Sequence, residues 1–87
     1  MLVNIKFVGR TRELSGTGEL QLHIPGAAKV TLRDVISALR ERGVRVDAEE
    51  PGVLVLVNGR NASFIKGLDT EVDDKSEVVI AYFSGGG

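Results

Sequence analysis

Hydrophobic and polar positions alternate in two segments near the start of the chain. Every second residue from Val3 to Phe7 is apolar, and the same two-residue period returns from Leu20 to Ile24. Because successive side chains of a strand point to opposite faces, this period predicts two strands that are each buried on one side. The residues between them, 9–18, are rich in glycine, threonine and serine and are predicted to form a loop.

A helical period replaces the alternation after Thr31. Thr31 is a favourable N-cap residue, and Asp34 stands three residues on, at the capping-box position. Gly43 is predicted to end the helix, because glycine takes the left-handed conformation at little cost. The apolar positions that recur at helical spacing are Leu32, Val35, Ile36 and Leu39.

The second half of the chain predicts further strands. The uninterrupted apolar run Val53–Val57 is typical of a strand that is central or covered on both faces. Asn58-Gly59 is a strong hairpin signal, and residues 62–65 are at best a short edge strand. A polar turn at residues 73–76 then leads into the last predicted strand, Glu77–Phe83.

The order of these elements is strand, strand, helix, strand, short strand, strand. One helix must cover one face of the sheet, which predicts an α+β chain of the β-grasp type, with a mixed sheet of four to five strands. Neither an internal repeat nor a domain boundary interrupts the 87 residues. We therefore expect one domain over residues 1–84 and a flexible glycine tail over residues 85–87.

Composition narrows the possible functions. The net charge of −1 provides no basic field for direct nucleic-acid or membrane binding. Without cysteine there is no disulfide, thiolate metal site or cysteine nucleophile. No apolar run has the length of a membrane span, and the first residues lack the apolar core of a signal peptide. We expect a cytoplasmic protein that binds no cofactor itself.

Several groups of residues could carry chemistry, but each has a simpler interpretation. His23 lies on a predicted strand without an acidic or cysteine partner at metal-ligand spacing, so a solvent-facing position is favoured. Gly16-Thr17-Gly18 lacks the third glycine of a dinucleotide fingerprint and is interpreted as a turn. Two charged clusters are interpreted as a solvated turn and a helix end: Asp69, Glu71, Asp73 and Asp74, and Arg40, Arg42 and Arg45.

The three terminal glycines, Gly85, Gly86 and Gly87, are the most distinctive feature of the chain. Their reactive group would be an α-carboxylate on a thin stalk that could enter a narrow active site of another protein. Fully extended, Ser84–Gly87 could reach about 14 Å beyond the last strand. The alternative is a frayed terminus or a linker, because chain ends are commonly mobile and glycine-rich.

The predicted strand register leaves one sheet face uncovered. If Val53, Val55 and Val57 face the helix, Leu54 and Leu56 point to the opposite face. The same alternation directs further apolar side chains of the last strand to that face, namely Val79, Ala81 and Phe83. Exposed apolar patches often mark interaction sites, so Leu54, Leu56, Ala81 and Phe83 are predicted to bind a partner. Oligomerisation or incidental exposure are the alternatives.

The chain resembles the ubiquitin-like sulfur carriers, above all the MoaD family, the small subunit of molybdopterin synthase. Phe7–Gly16 resembles the strand-to-loop signature of that family, which includes Arg12-Glu13. Other similar segments are the hairpin Leu56–Gly59, the acidic turn Leu68-Asp69 and Asp73-Asp74 with Glu77-Val78, and the terminal Gly86-Gly87. The chain differs by its third glycine and by Tyr82-Phe83, where that family often has two prolines.

The resemblance implies a function for the terminal carboxylate. A ubiquitin-activating-type enzyme (MoeB/ThiF-like) would use ATP to adenylate Gly87, and sulfur transfer would then produce a thiocarboxylate. The large subunit of molybdopterin synthase (MoaE-like) would use that sulfur to build molybdopterin, and this chain would be its small subunit without catalytic machinery. A tRNA-thiolation carrier, a protein modifier attached to target lysines and a non-catalytic β-grasp interaction module are the alternatives.

Overall fold

The computed structural model describes residues 1–25 and 29–82. The helices are α1 (Arg10–Ser15) and α2 (Leu32–Glu41), and Ala62–Phe64 and Gly67–Asp69 form short 3-10 helices. The strands are β1 (Leu2–Gly9), β2 (Glu19–His23), β3 (Val30–Thr31), β4 (Val53–Val57), β5 (Arg60–Asn61), β6 (Glu71–Val72) and β7 (Glu77–Tyr82).

Five of the strands form one mixed sheet in the order β2-β1-β7-β4-β5. The pair β1 and β7 is parallel, and the other neighbours in this sheet are antiparallel. The last strand, β7, therefore lies in the middle of the sheet, between the first strand and β4. This sheet with α2 packed against it is a β-grasp fold, as the sequence predicted, and β3 and β6 form a separate two-stranded ribbon.

The core lies between α2 and the large sheet. Val35 and Leu39 of α2 are completely buried, as are Val78 and Ile80 of β7. The buried positions of β4 are Val55 and Val57, so the alternation that the sequence predicted also holds there. The remaining members of the hydrophobic cluster come mostly from β1, β2 and the segments that flank α2: Val3, Ile5, Phe7, Leu22, Ile24, Val30, Leu32, Ile36, Val44, Val46, Ala62 and Val72.

Local signals begin and end α2 where the sequence predicts. The backbone N–H of Thr31 donates to Oδ2 of Asp34 at 2.9 Å, which satisfies a backbone donor ahead of the first turn. Gly43 has a φ of 87° and follows the last turn, in the left-handed conformation that favours glycine. At the hairpin, Asn58 and Gly59 both have positive φ, as a two-residue turn between twisted strands requires.

Three short elements differ from the prediction. Residues 10–15 form α1 where a loop was expected, because six residues are too few to show a helical apolar period. Residues 62–64 form a 3-10 helix, so the predicted edge strand at 62–65 is wrong. The Asn61 side chain accepts from the backbone N–H of Ser63 at 3.0 Å and bends the chain out of the sheet. The ribbon of β3 and β6 has two residues a strand, too short for alternation to reveal it.

Candidate functional site

The predicted site begins where β7 ends. Tyr82 is the last residue that the structure describes, and it pairs with Val53 of β4 on one side and Gly9 of β1 on the other. The predicted site residues Gly85, Gly86, Gly87 and Phe83 lie outside the described residues. The five residues that follow Tyr82 can extend at most about 17 Å, so Tyr82 determines which surroundings Gly87 can reach.

A close backbone contact forms the base of this C-terminal segment. Gly9 has a φ of +69°, and a Cβ atom at this position would lie 2.7 Å from the carbonyl oxygen of Tyr82. Both observations require glycine, since a side chain would be strained in φ and would overlap the strand beside it. The end of β1 therefore lies directly against the last described peptide of β7.

Thr11 connects α1 to the same end of the sheet. Thr11 is the one buried residue of this helix. Its hydroxyl accepts from the backbone N–H of Val8 at 3.0 Å and lies 2.6 Å from the carbonyl oxygen of Ile80 and 2.8 Å from that of Val8. Because a hydroxyl has one hydrogen, it donates to one of these two carbonyls at a time.

Two charged side chains lie beside Tyr82 itself. The guanidinium carbon of Arg10 is 5.6 Å from the centre of the Tyr82 ring, within the range of a cation–π interaction. The Tyr82 hydroxyl lies 3.4 Å from Oε1 of Glu50, in the loop before β4. Tyr82, from which the C-terminal segment starts, is therefore contacted both by α1 and by the loop that precedes β4.

The sheet face turned away from α2 has a row of apolar side chains, here called the apolar strip. Register places Leu54, Ala81 and Val8 side by side across three strands, and Leu56 beside Val79 in the next row. Leu54, Leu56 and Val79 are half-buried and Val8 is 45% exposed, whereas Ala81 is only 4% exposed. The structure thus brings Leu54, Leu56 and Ala81 together, although Ala81 contributes little accessible surface between its larger neighbours.

Val8 is a member of this strip that sequence reasoning missed. The buried positions of β1 are Val3, Ile5 and Phe7, so the same two-residue period directs Val8 outward. Its proximity to Leu54 and Ala81 depends on the strand order, which the sequence pattern does not give. Sequence reasoning also missed Gly9 and Thr11, because their role depends on contacts with the neighbouring strand, β7.

Charged residues lie beside the apolar strip on the same face. Nζ of Lys6 is 3.1 Å from Oε2 of Glu77, and both side chains are nearly half exposed. The hydrogen bond to Glu77, followed by the charge of that carboxylate, raises the pKa of Lys6 above its ordinary value. The combination of an apolar centre and a charged margin is the composition found in many protein interfaces.

The other candidate groups have structural roles. His23 is exposed on β2, and Gly16 ends α1 with a φ of 76°. In the acidic turn, Asp69 pairs with Arg33 at 3.3 Å, and Asp74 accepts from the backbone N–H of Leu2 at 2.8 Å. Among residues 1–25 and 29–82, no three His, Cys, Asp or Glu side chains lie close enough to hold a metal ion.

No helix in the part of the chain that the structure describes is long and apolar enough to cross a membrane.

A groove of about 550 Å³ borders the first half of β4. Leu54, Ala48, Pro51 and Leu68 are among the residues that line it. Leu54 thus contributes both to this groove and to the apolar strip.

The sequence and the structure are both similar to known proteins. The model of the ThiS family matches residues 5–87. No curated protein sequence matches the chain.

Several solved structures share the fold over nearly all of the chain. The Haloferax volcanii HVO 2177 protein is 28% identical with a TM-score of 0.78, and the match covers 100% of this chain and 87% of that one. Small archaeal modifier protein 1 from Methanosarcina acetivorans is 26% identical with a TM-score of 0.73, covering 99% and 96%. A chain of the Amycolatopsis orientalis BexX/CysO complex is 26% identical with a TM-score of 0.71, covering 98% and 99%.

Proposed function

Because this chain belongs to the ThiS family of ubiquitin-like sulfur carriers, we propose that its Gly87 carboxylate is adenylated and converted to a thiocarboxylate. The observation that carries the proposal is the extent of the family match, which continues through Gly87 at the end of the glycine tail. The described residues support it in a second way. The buried Thr11 hydroxyl lies 2.6 Å from the carbonyl oxygen of Ile80 and joins α1 to the strand from which the C-terminal segment starts.

Two balanced steps would convert the carboxylate. First, a carboxylate oxygen of Gly87 attacks the α-phosphorus of ATP, pyrophosphate leaves, and an acyl adenylate forms. Second, hydrosulfide attacks the acyl carbon, AMP leaves with the former carboxylate oxygen, and loss of the S–H proton to solvent leaves the thiocarboxylate. Adenylation is needed because a free carboxylate lacks a leaving group and carries a charge that repels nucleophiles.

The activating enzyme would supply the nucleotide site, since this chain has no phosphate-binding loop. We propose that a ubiquitin-activating-type enzyme (MoeB/ThiF-like) docks on the apolar strip, with Leu54, Leu56, Ala81 and Phe83 at the contact. Burial of an apolar centre would provide affinity, and the charged pair of Lys6 and Glu77 would lie at the margin. The C-terminal segment would then enter the active site of the enzyme from the end of β7.

The sulfur acceptor that we propose is a molybdopterin precursor held by a MoaE-like large subunit. The support is the similarity of Phe7–Gly16, with Arg12-Glu13, to the signature of the molybdopterin carriers. In the structure this segment ends β1 and forms α1, beside the end of β7. An acceptor subunit that binds the C-terminal segment would therefore also contact this signature.

A second candidate is a protein modifier that is attached to target lysines. Small archaeal modifier protein 1 of Methanosarcina acetivorans is 26% identical over 99% of this chain, which favours this candidate. Activation of Gly87 would be the same, and the two functions would differ in whether the acceptor is a sulfur-requiring precursor or a lysine amine.

Intact-mass analysis tests the proposal directly. The protein is incubated with an activating enzyme, ATP and hydrosulfide, and we expect one oxygen to be replaced by sulfur at the C-terminal residue. A C-terminus that stays unchanged with every activating enzyme of the native host would overturn the proposal and leave an interaction module. Addition of precursor with the large subunit, or of cell extract followed by a search for lysine adducts, then distinguishes the two acceptors.

A further inference from the structure

We propose that Gly9 and Thr11 are positioning residues that fix where the C-terminal segment starts relative to the apolar strip. This inference rests on the proposed function, since it concerns how the Gly87 carboxylate reaches the activating enzyme. Neither residue would touch ATP or the reacting atoms. They would act through the backbone of β7, at Tyr82 and Ile80.

The first observation is the contact between β1 and β7 at Gly9. A Cβ there would come within 2.7 Å of the Tyr82 carbonyl oxygen, much closer than real Cβ contacts. That carbonyl belongs to the peptide unit that joins Tyr82 to Phe83. A side chain at position 9 would therefore displace the peptide from which the C-terminal segment leaves.

The second observation is the hydroxyl of Thr11. It lies 2.6 Å from the Ile80 carbonyl and is buried, so water does not replace it easily. This contact holds α1 against β7 two residues before the described chain ends. On α1, the neighbouring Arg10 then lies over the Tyr82 ring, so the backbone and the side chain of Tyr82 are both held from the β1–α1 segment.

These contacts would fix the distance between the apolar strip and the start of the C-terminal segment. Ala81 of the apolar strip immediately precedes Tyr82, so a partner that binds the strip is placed at a fixed separation from the start of the C-terminal segment. Five residues span at most about 17 Å, which leaves little excess length if the active site lies near that limit. Misplacement of a reacting group by about 1 Å can lower a rate on the order of a hundredfold.

Gly9→Ala tests this, with Gly59→Ala as its matched control. Both glycines have a positive φ, +69° and +83°, but nothing lies within 4 Å of a Cβ at Gly59. Both variants therefore introduce backbone strain, and only the first displaces Tyr82. In single-turnover adenylation, we expect Gly9→Ala to lose at least about tenfold in the maximal rate, with an unchanged half-saturating carrier concentration. An unchanged maximal rate would overturn the proposal.

A second pair of variants covers the case in which Gly9→Ala does not fold. Thr11 and Thr70 are both buried threonines whose hydroxyls form hydrogen bonds with backbone groups. The partners of Thr70 are the N–H of Lys66 and the carbonyl oxygen of Ala62 rather than groups of β7. We expect Thr11→Val to lower the maximal adenylation rate and Thr11→Ser to restore it. Thr70→Val should lower stability without changing that rate. Equal kinetic losses in the two valine variants would show a merely structural role and overturn the proposal.

A spectroscopic measurement separates this proposal from the proposed function. Tyr82 is the one tyrosine of the chain, and there is no tryptophan, so tyrosine fluorescence reports on this position alone. We expect Gly9→Ala and Thr11→Val to change the intensity and the iodide quenching of that fluorescence, and Gly59→Ala and Thr70→Val to leave both unchanged. Failure of wild-type adenylation would refute the proposed function only, whereas unchanged Tyr82 fluorescence in both test variants would refute the positioning role.

Discussion

Leu54 of β4 and Ala81 of β7 lie directly opposite one another on the sheet face turned away from α2. The larger leucine remains partly exposed while the alanine is almost covered, so the leucine provides the accessible apolar surface of this pair. Leu54 also lines the groove beside β4. Its side chain can therefore be changed with little effect on the core and a large effect on any protein that docks there.

We expect Leu54→Glu to weaken binding of the activating enzyme. If Leu54 is a hot spot of the interface, its replacement by a charged residue should cost about 2 kcal/mol or more, on the order of thirtyfold in Kd. Titration calorimetry with wild type and variant measures the change. Ile65→Glu is the control, because Ile65 is 42% exposed but lies on the turn after the 3-10 helix at 62–64. Equal affinities for Leu54→Glu and wild type would show that the strip is not the docking surface.

Deletion of Gly87 should abolish formation of the thiocarboxylate. The carboxylate moves back by one residue, about 3.5 Å, which is far more than an active site tolerates. Stability should change by no more than about 0.5 kcal/mol, since the residues of the core cluster all precede Ala81. Intact mass after activation and urea unfolding are the two measurements. Because the shortened chain still ends in two glycines, thiocarboxylation at the wild-type rate would exclude Gly87 as the required acyl position.

A β-branched residue at Gly86 should have a similar effect for a different reason. Gly86→Val keeps the length of the tail but adds bulk where a narrow channel would enclose it. We expect slow adenylation with an unchanged unfolding transition, measured by the same assays. Rapid adenylation of Gly86→Val would indicate a wide channel and remove the steric reason for the glycines.

Ile80→Ala should destabilise the fold strongly. The Ile80 side chain is completely buried at the centre of the sheet, and removal of such a side chain typically costs 2–5 kcal/mol, or about 3 kcal/mol here. The neighbouring Val79 points to the opposite, half-exposed face, so Val79→Ala should cost much less. Urea unfolding of both variants checks the register of β7, and a larger loss for Val79→Ala would mean that the faces are reversed.

The contribution of Lys6 to stability should depend on pH in the alkaline range. Its contact with Glu77 raises the pKa above the ordinary value of 10.5, so the folded state binds this proton more tightly than the unfolded state. The contribution is complete below that ordinary value and is lost as the pH rises through the raised pKa. The difference in unfolding free energy between wild type and Lys6→Met should therefore shrink above pH 10.5 and also in high salt. A difference that is independent of pH would contradict the ion pair.

The long elements of the fold could be predicted because one physical signal dominates each of them. In β1 and β2 it is alternation, and in α2 it is the helical period together with Asp34 and Gly43. Residues 62–64 form a 3-10 helix rather than the predicted strand. The Asn61 side chain binds a backbone N–H that a strand would use for pairing, and this outweighs the strand preference of Phe64 and Ile65. Phe64 remains 87% exposed as a result.

The candidate site was only partly predictable. Leu54 and Leu56 follow from the period of β4, since burial of Val55 and Val57 determines where their neighbours point. The contacts at Gly9 and Thr11 join residues about 70 positions apart in sequence, as in the bond between Thr11 and Ile80. Such contacts depend on the parallel pairing of β1 with β7, which local patterns do not encode.

The central place of β7 also has a consequence for synthesis on the ribosome. The strand that joins β1 to β4 is made from residues 77–82, so the two halves of the sheet stay separate until residue 82 has left the ribosome. Strands that are far apart in sequence pair slowly, and a sheet that lacks its central strand leaves the edges of its other strands unpaired. A nascent chain that stops before residue 77 would therefore lack the apolar strip that β7 shares with β1 and β4, and under our proposal an activating enzyme would not bind it.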